Sequence, residues 1–63
     1  MVEAFKPYEV LWYDLGNNVH TKTFSTEEAA MAYYEKHKDD DLKWGWWVTK
    51  RDKDWNVLED LVF

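Results

Sequence analysis

The residues most able to do chemistry in this chain are its carboxylates, its two histidines and its tryptophans. Asp52-Lys53-Asp54-Trp55-Asn56 places oxygens at alternate positions, as the start of a calcium loop does, and Asp39-Asp40-Asp41 could add to it. The pattern then departs from that loop. Val57 stands where the sharp turn needs glycine, and Phe63 stands where a bidentate glutamate completes the shell. A charged hairpin turn is the expected reading, and no metal site is expected. His20 and His37 are the only side chains whose ordinary pKa lies near neutrality, and neither has ligand or triad spacing. Both read as structural. With 13 acidic residues, carboxylate pairs can be drawn at will, so none stands out as a general acid and base. No catalytic residue and no cofactor is expected, and the chain reads as a non-enzyme.

Trp44-Gly45-Trp46-Trp47, followed by Lys50 and Arg51, is the sharpest local signal. Aromatic side chains on a sheet beside basic ones can stack and track a single-stranded nucleic acid. Trp44, Trp46, Trp47, Lys50 and Arg51 would carry that role, with Gly45 letting a base approach the backbone. The competing reading has the tryptophans filling both sides of a strand, one set on a helix and one in an interface. The net charge of −5, from 13 acids against 8 bases, favours the second, because phosphate binding depends on cations. Nucleic acid is therefore not the expected partner.

These residues must be held by a single domain spanning 1–63, close to the lower size limit for a self-sufficient core. Cysteine is absent, which excludes disulfides and a thiolate zinc site. Packing or oligomerisation must replace them. Five Trp, four Tyr and three Phe supply large buried areas, about 150–250 Å² each. No apolar run approaches a membrane span, and Glu3, Lys6 and Pro7 interrupt any leader-like core in Met1–Val10, so a cytoplasmic, membrane-free protein is expected.

After a lead-in over Met1–Lys6, strand patterns cover Tyr8–Leu15 and Val19–Phe24, joined by a turn at Gly16-Asn17-Asn18. Ser25-x-x-Glu28 is a capping box that predicts a helix starting at Ser25 and ending before Asp39-Asp40-Asp41, with Ala29, Ala30, Tyr33 and His37 on its packing face. A third strand covers Lys43–Arg51, with Trp44, Trp46 and Val48 on one face and Trp47 and Thr49 opposite. Asp52-Lys53-Asp54 turns the chain. A fourth strand covers Trp55–Phe63, with Trp55, Val57, Leu61 and Phe63 on one side and Leu58 and Val62 on the other. The expected fold is α+β, a ββαββ four-stranded antiparallel sheet with one helix packed on one face.

Tyr8–Lys38, with its hairpin, the Phe24-Ser-Thr-Glu-Glu-Ala segment and the helix after it, resembles the arm-type DNA-binding domains of phage integrases over about half the chain. That family is basic and has three strands before its helix. Here there are two, and the helix is acidic.

The strands are apolar on both faces, and one helix can cover only one. The uncovered face is expected to be hidden by a second copy or a partner, with Tyr13, Trp44, Trp46, Trp47, Leu58 and Val62 as interface candidates. The expected function is a protein-binding module, a small regulator or inhibitor of a larger protein that forms a homodimer. Its acidity would suit a basic partner.

Overall fold

The computed structural model describes residues 5–62. The first four residues of the expected lead-in Met1–Lys6, and the place of Phe63, lie outside them. Strands β1 (Tyr8–Asp14) and β2 (Val19–Phe24), helix α1 (Glu27–His37), and strands β3 (Lys43–Arg51) and β4 (Val57–Val62) follow in chain order. All neighbouring strands are antiparallel, in the order β2-β1-β3-β4, so the fold is the ββαββ sheet with one helix.

Both hairpins close through the same kind of three-residue loop, 15–17 between Asp14 and Asn18 and 53–55 between Asp52 and Asn56. In the first, Asn17 N–H donates to Asp14 O (3.1 Å) and Asp14 N–H to Asn18 O (3.0 Å). The Asp14 carboxylate braces the loop from inside, with Oδ1 accepting from the amides of Gly16 (2.8 Å) and Asn18 (3.0 Å). In the second, Trp55 N–H donates to Asp52 O (2.9 Å) and Asp52 N–H to Asn56 O (3.0 Å). Asp52 Oδ1 accepts from the amides of Asp54 and Asn56, each at 2.9 Å. A three-residue hairpin loop of this kind needs its last residue in the left-handed region. Asn17 (φ 63°) and Trp55 (φ 68°) take that position. Of the expected turn residues Gly16-Asn17-Asn18, Asn17 is the one that adopts the positive φ. One expectation changes. Trp55 was placed in the fourth strand, yet it belongs to the loop and the strand begins at Val57.

The helix starts one residue later than its capping box implied. Thr26, in extended conformation, is the N-cap, and its Oγ1 accepts from the Ala29 amide at 3.2 Å. Ser25 and Thr26 together turn the chain out of β2 while Phe24 stays packed on Tyr33. Glu27 and Glu28 occupy the first turn, and Lys36 and His37 the last, where the helix dipole favours each sign. Lys38 N–H closes the helix on Tyr34 O at 2.7 Å. Ala30 is fully buried, whereas Ala29, read as part of the packing face, is exposed.

The core is small: Val10, Trp12, Ala30 and Val48 are buried, and an aromatic shell surrounds them. Trp12 stacks on Trp46 (centroids 5.3 Å apart) and on His20 (5.7 Å), and lies tilted against Tyr33 (5.5 Å). Tyr34 meets Trp46 edge to face at 5.7 Å. Such pairs are worth about 0.5–1.5 kcal/mol beyond their buried area, which suits a domain with few aliphatic core residues. The helix lies over β1, β2 and β3 and does not approach β4.

A bulge in β3 overturns the expected sorting of its tryptophans. Leu11 pairs with Trp47 and Tyr13 with Trp44, so Gly45 and Trp46 together face Trp12. Gly45 adopts φ 68°, and a Cβ there would lie 2.8 Å from Tyr13 Cδ2. Glycine accommodates both the backbone and the close ring. The extra residue sends Trp46 to the helix side and Trp44 to the opposite side, beside Tyr13. Register also shifts twice along β4, between the pairs Val48–Val62 and Thr49–Asp60 and between Lys50–Glu59 and Arg51–Val57. Strict alternation along β4 therefore fails, and both Leu61 and Val62 pack against the core.

Candidate interaction face

Cross-strand register arranges the face away from the helix in rows. Val19, Tyr13 and Trp44 form the first, and Thr21, Leu11 and Trp47 the second. Thr23, Glu9, Thr49 and Asp60 form the third, and Arg51 opposite Val57 lies beyond them. One half is thus mostly apolar and the other mostly polar.

In the apolar half, Tyr13 and Trp44 stack with centroids 5.0 Å apart, and Trp44 Nε1 donates to Asp14 O at 2.9 Å. Trp47 Nε1 donates to Asp60 Oδ1 at 2.8 Å, so its indole reaches across β4. Both indoles therefore have their polar atoms satisfied and their orientation set. Trp44 is 48% exposed and Val19 56%, while Leu11, Tyr13 and Trp47 are half-buried.

The polar half is built around an ion pair. Arg51 Nη2 lies 3.2 Å from Glu9 Oε1, with both side chains at most 15% exposed. Arg51 Nη1 also donates to Trp55 O at 2.9 Å, and its guanidinium sits 5.1 Å from the centre of the Trp55 ring. Among the described residues, Arg51 Nε and the neighbouring Thr49 Oγ1 are buried without a hydrogen-bond partner, as is Trp46 Nε1 on the helix side.

The interface candidates divide accordingly. Tyr13, Trp44 and Trp47 come together on this face. Trp46 and Val62 pack against the core on the helix side. Leu58 is exposed, but it lies near Arg51, at the opposite end of the sheet from Trp44. Leu11 and Val19 belong to the apolar rows and were not among the candidates. Leu11 was legible from its alternation with Tyr13. The residues of the nucleic-acid reading separate too. Arg51 is committed to Glu9 and Trp55, and Lys50, paired with Glu59, extends over Tyr8 on the helix side with Nζ 6.0 Å from the ring.

His20 and Asp14 form an exposed pair at the end of the sheet, with Nε2 and Oδ2 2.8 Å apart. That hydrogen bond, reinforced by the Asn18 and Gly16 amides, holds the Asp14 carboxyl at about 2. His37 packs on Tyr33, with centroids 4.4 Å apart. Asp40 accepts from the Leu42 amide and pairs with Lys43 Nζ at 2.6 Å. Of the carboxylates in the calcium-like pattern, those of Asp52 and Asp40 accept from amides of their own turns, and no cluster of three potential metal ligands occurs among the described residues. Comparison of the chain with protein-family models, curated proteins and solved structures gives no match.

Proposed function

We propose that this chain is a non-catalytic protein-binding module, a small regulator or inhibitor of a larger protein, whose docking surface is the apolar half of the face away from the helix. The observation that carries the reading is the pair of apolar rows, Val19–Tyr13–Trp44 and Leu11–Trp47, left uncovered by α1. Oriented aromatic rings with satisfied N–H groups make good anchors, because little side-chain freedom is lost when a partner closes over them.

A second copy of the chain is the simplest occupant. The charges on this face nearly cancel: Arg51 is paired with Glu9, and Asp60 is the remaining charge. Two such faces can meet while most of the net charge of −5 stays outside the contact. The test is sedimentation equilibrium over a wide concentration range for the wild type, Trp44→Glu and Trp47→Glu. A dimer weakened by either substitution supports self-association through the face. A monomeric mass at every concentration removes it and leaves the face for a foreign protein. Photo-crosslinking from position 44 in the native cell then tests the rest. An adduct with a second protein that is lost in Trp47→Glu supports the module, and the absence of any protein adduct refutes it.

A further inference from the structure

The two edges of the sheet are unequal. β4 carries two register irregularities and the carboxylates Glu59 and Asp60. β2 runs from Val19 to Phe24 in unbroken register with β1, without proline, bulge or carboxylate. Bulges, prolines and charges are the devices that keep strand edges from pairing with other chains. Lys22 is the residue that could guard β2, but its ammonium folds back over the rings of Tyr33 (5.0 Å) and Phe24 (5.8 Å).

The hairpin shows which groups face outward. Asp14 N–H donates to Asn18 O, which makes 14 and 18 a hydrogen-bonded pair. Bonded and non-bonded pairs alternate along an antiparallel ladder, so Tyr13–Val19, Leu11–Thr21 and Glu9–Thr23 are the non-bonded ones. The N–H and C=O groups of Val19, Thr21 and Thr23 therefore point away from β1. Among the described residues they have no hydrogen-bond partner.

We propose that this edge pairs with a second copy of the chain, β2 against β2, antiparallel about a two-fold axis at Thr21. Side chains opposed across such a seam must lie on the same side of the sheet, so the register can move only in steps of two. Centring on Thr21 sets Val19 opposite Thr23 and uses every outward group of the strand. Centring on His20 or Lys22 leaves outward groups unpaired, and centring on Lys22 also sets two ammonium groups face to face. Charge selects the same edge: β2 is the edge strand without a carboxylate, so two acidic chains meet there without opposing their acids. A two-fold axis through the seam leaves both aromatic faces on the same side of one continuous sheet. The contact is thus independent of face-to-face association and compatible with it.

Amide hydrogen exchange of the full chain, followed residue by residue as concentration is raised, tests the seam. The expected result is protection at Val19, Thr21 and Thr23 that grows at least tenfold with concentration, in the wild type and in Trp44→Glu, where the face is charged. Thr21→Pro removes an outward N–H and no bond to β1. It should lower the associated mass while protection at Val10 and Val48 persists. Thr21→Lys in the Trp44→Glu background, where the face is already charged, keeps the N–H and opposes two ammonium groups at the axis; it should act alike and decides the matter if the proline variant does not fold. Exchange at the three amides that is independent of concentration, or association of a folded Thr21 variant equal to that of its parent, would overturn the seam. Failure of the face alone shows differently, as Trp44→Glu associating just as the wild type does.

Discussion

Trp55 occupies the same left-handed position in the second hairpin loop that Asn17 occupies in the first. Asparagine enters this region with little penalty. A bulky side chain costs about 1–2 kcal/mol there. Trp55 recovers part of that through the Arg51 guanidinium over its ring, worth about 0.5–1 kcal/mol at an exposed site. The backbone penalty is the larger of the two. Trp55→Asn should therefore stabilise the fold by about 0.5–1 kcal/mol, and Asn17→Trp should destabilise it by about 1–2 kcal/mol. Urea midpoints of the two variants check both signs. A Trp55→Asn variant less stable than the wild type would mean that the ring contributes more than its conformation costs.

Removing the helix cap separates two adjacent hydroxyls. Thr26→Ala leaves the Ala29 amide without its acceptor and should cost about 1 kcal/mol. Ser25→Ala should change the denaturation midpoint by only a few tenths of a kcal/mol, as for an ordinary surface substitution. The reverse order would place the helix start at Ser25.

Gly45→Ala combines a left-handed backbone with a Cβ pressed on the Tyr13 ring. The conformational part alone should destabilise the domain by about 1–2 kcal/mol. Relief of the clash requires Tyr13 to move, which breaks its stack with Trp44. Chemical denaturation gives the loss of stability, and a change in the near-ultraviolet circular dichroism of the aromatic side chains reports the broken stack. A variant as stable as the wild type would show that the bulge does not depend on glycine.

Acid should loosen the first hairpin. The Asp14 carboxyl is held at about 2, first by the hydrogen bond from His20 and next by the Asn18 amide. A carboxyl depressed in the folded state contributes its full stability above the unfolded value, about 3.9. That contribution disappears as pH falls through the folded value. Asp52 and Asp40 are shifted in the same direction, by the Asn56 amide and by Lys43 respectively. The urea midpoint should therefore drop between about pH 4 and about pH 2. Asp14→Asn, which keeps an acceptor oxygen, should flatten the largest part of that drop. An equally steep profile in the variant would assign the acid sensitivity to the other two.

The order of elements was legible because turn residues and helix-favouring residues punctuate strongly alternating segments. Val19–Phe24 and Lys43–Arg51 are bounded as their composition implies. What escaped was the effect of one inserted residue on everything beyond it. Alternation assigned Trp44 and Trp46 to one face, and the bulge at Gly45 separates them. A glycine inside a strand is the available sign of such a bulge. The irregularities in β4 carry no comparable mark, since Val57–Val62 contains neither glycine nor proline. Nor does a tryptophan announce a left-handed backbone. Only setting Asp14-x-x-Asn17-Asn18 beside Asp52-x-x-Trp55-Asn56 reveals that position 55 must adopt it.

The reach of α1 over three strands has a consequence for how the molecule opens. β1, β2 and β3 are tied together by the helix as well as by their ladders, while β4 is joined to the rest by β3 and by what Leu61 and Val62 bury. Its ladder is interrupted twice. The last strand is therefore the piece that can detach while Val10, Trp12 and Ala30 stay in place, a sub-global opening well below the free energy of complete unfolding. Detachment would strip one edge of β3 and leave β4 free to dock on another molecule's β3, which makes the chain a candidate for swapping its own C-terminal strand at high concentration.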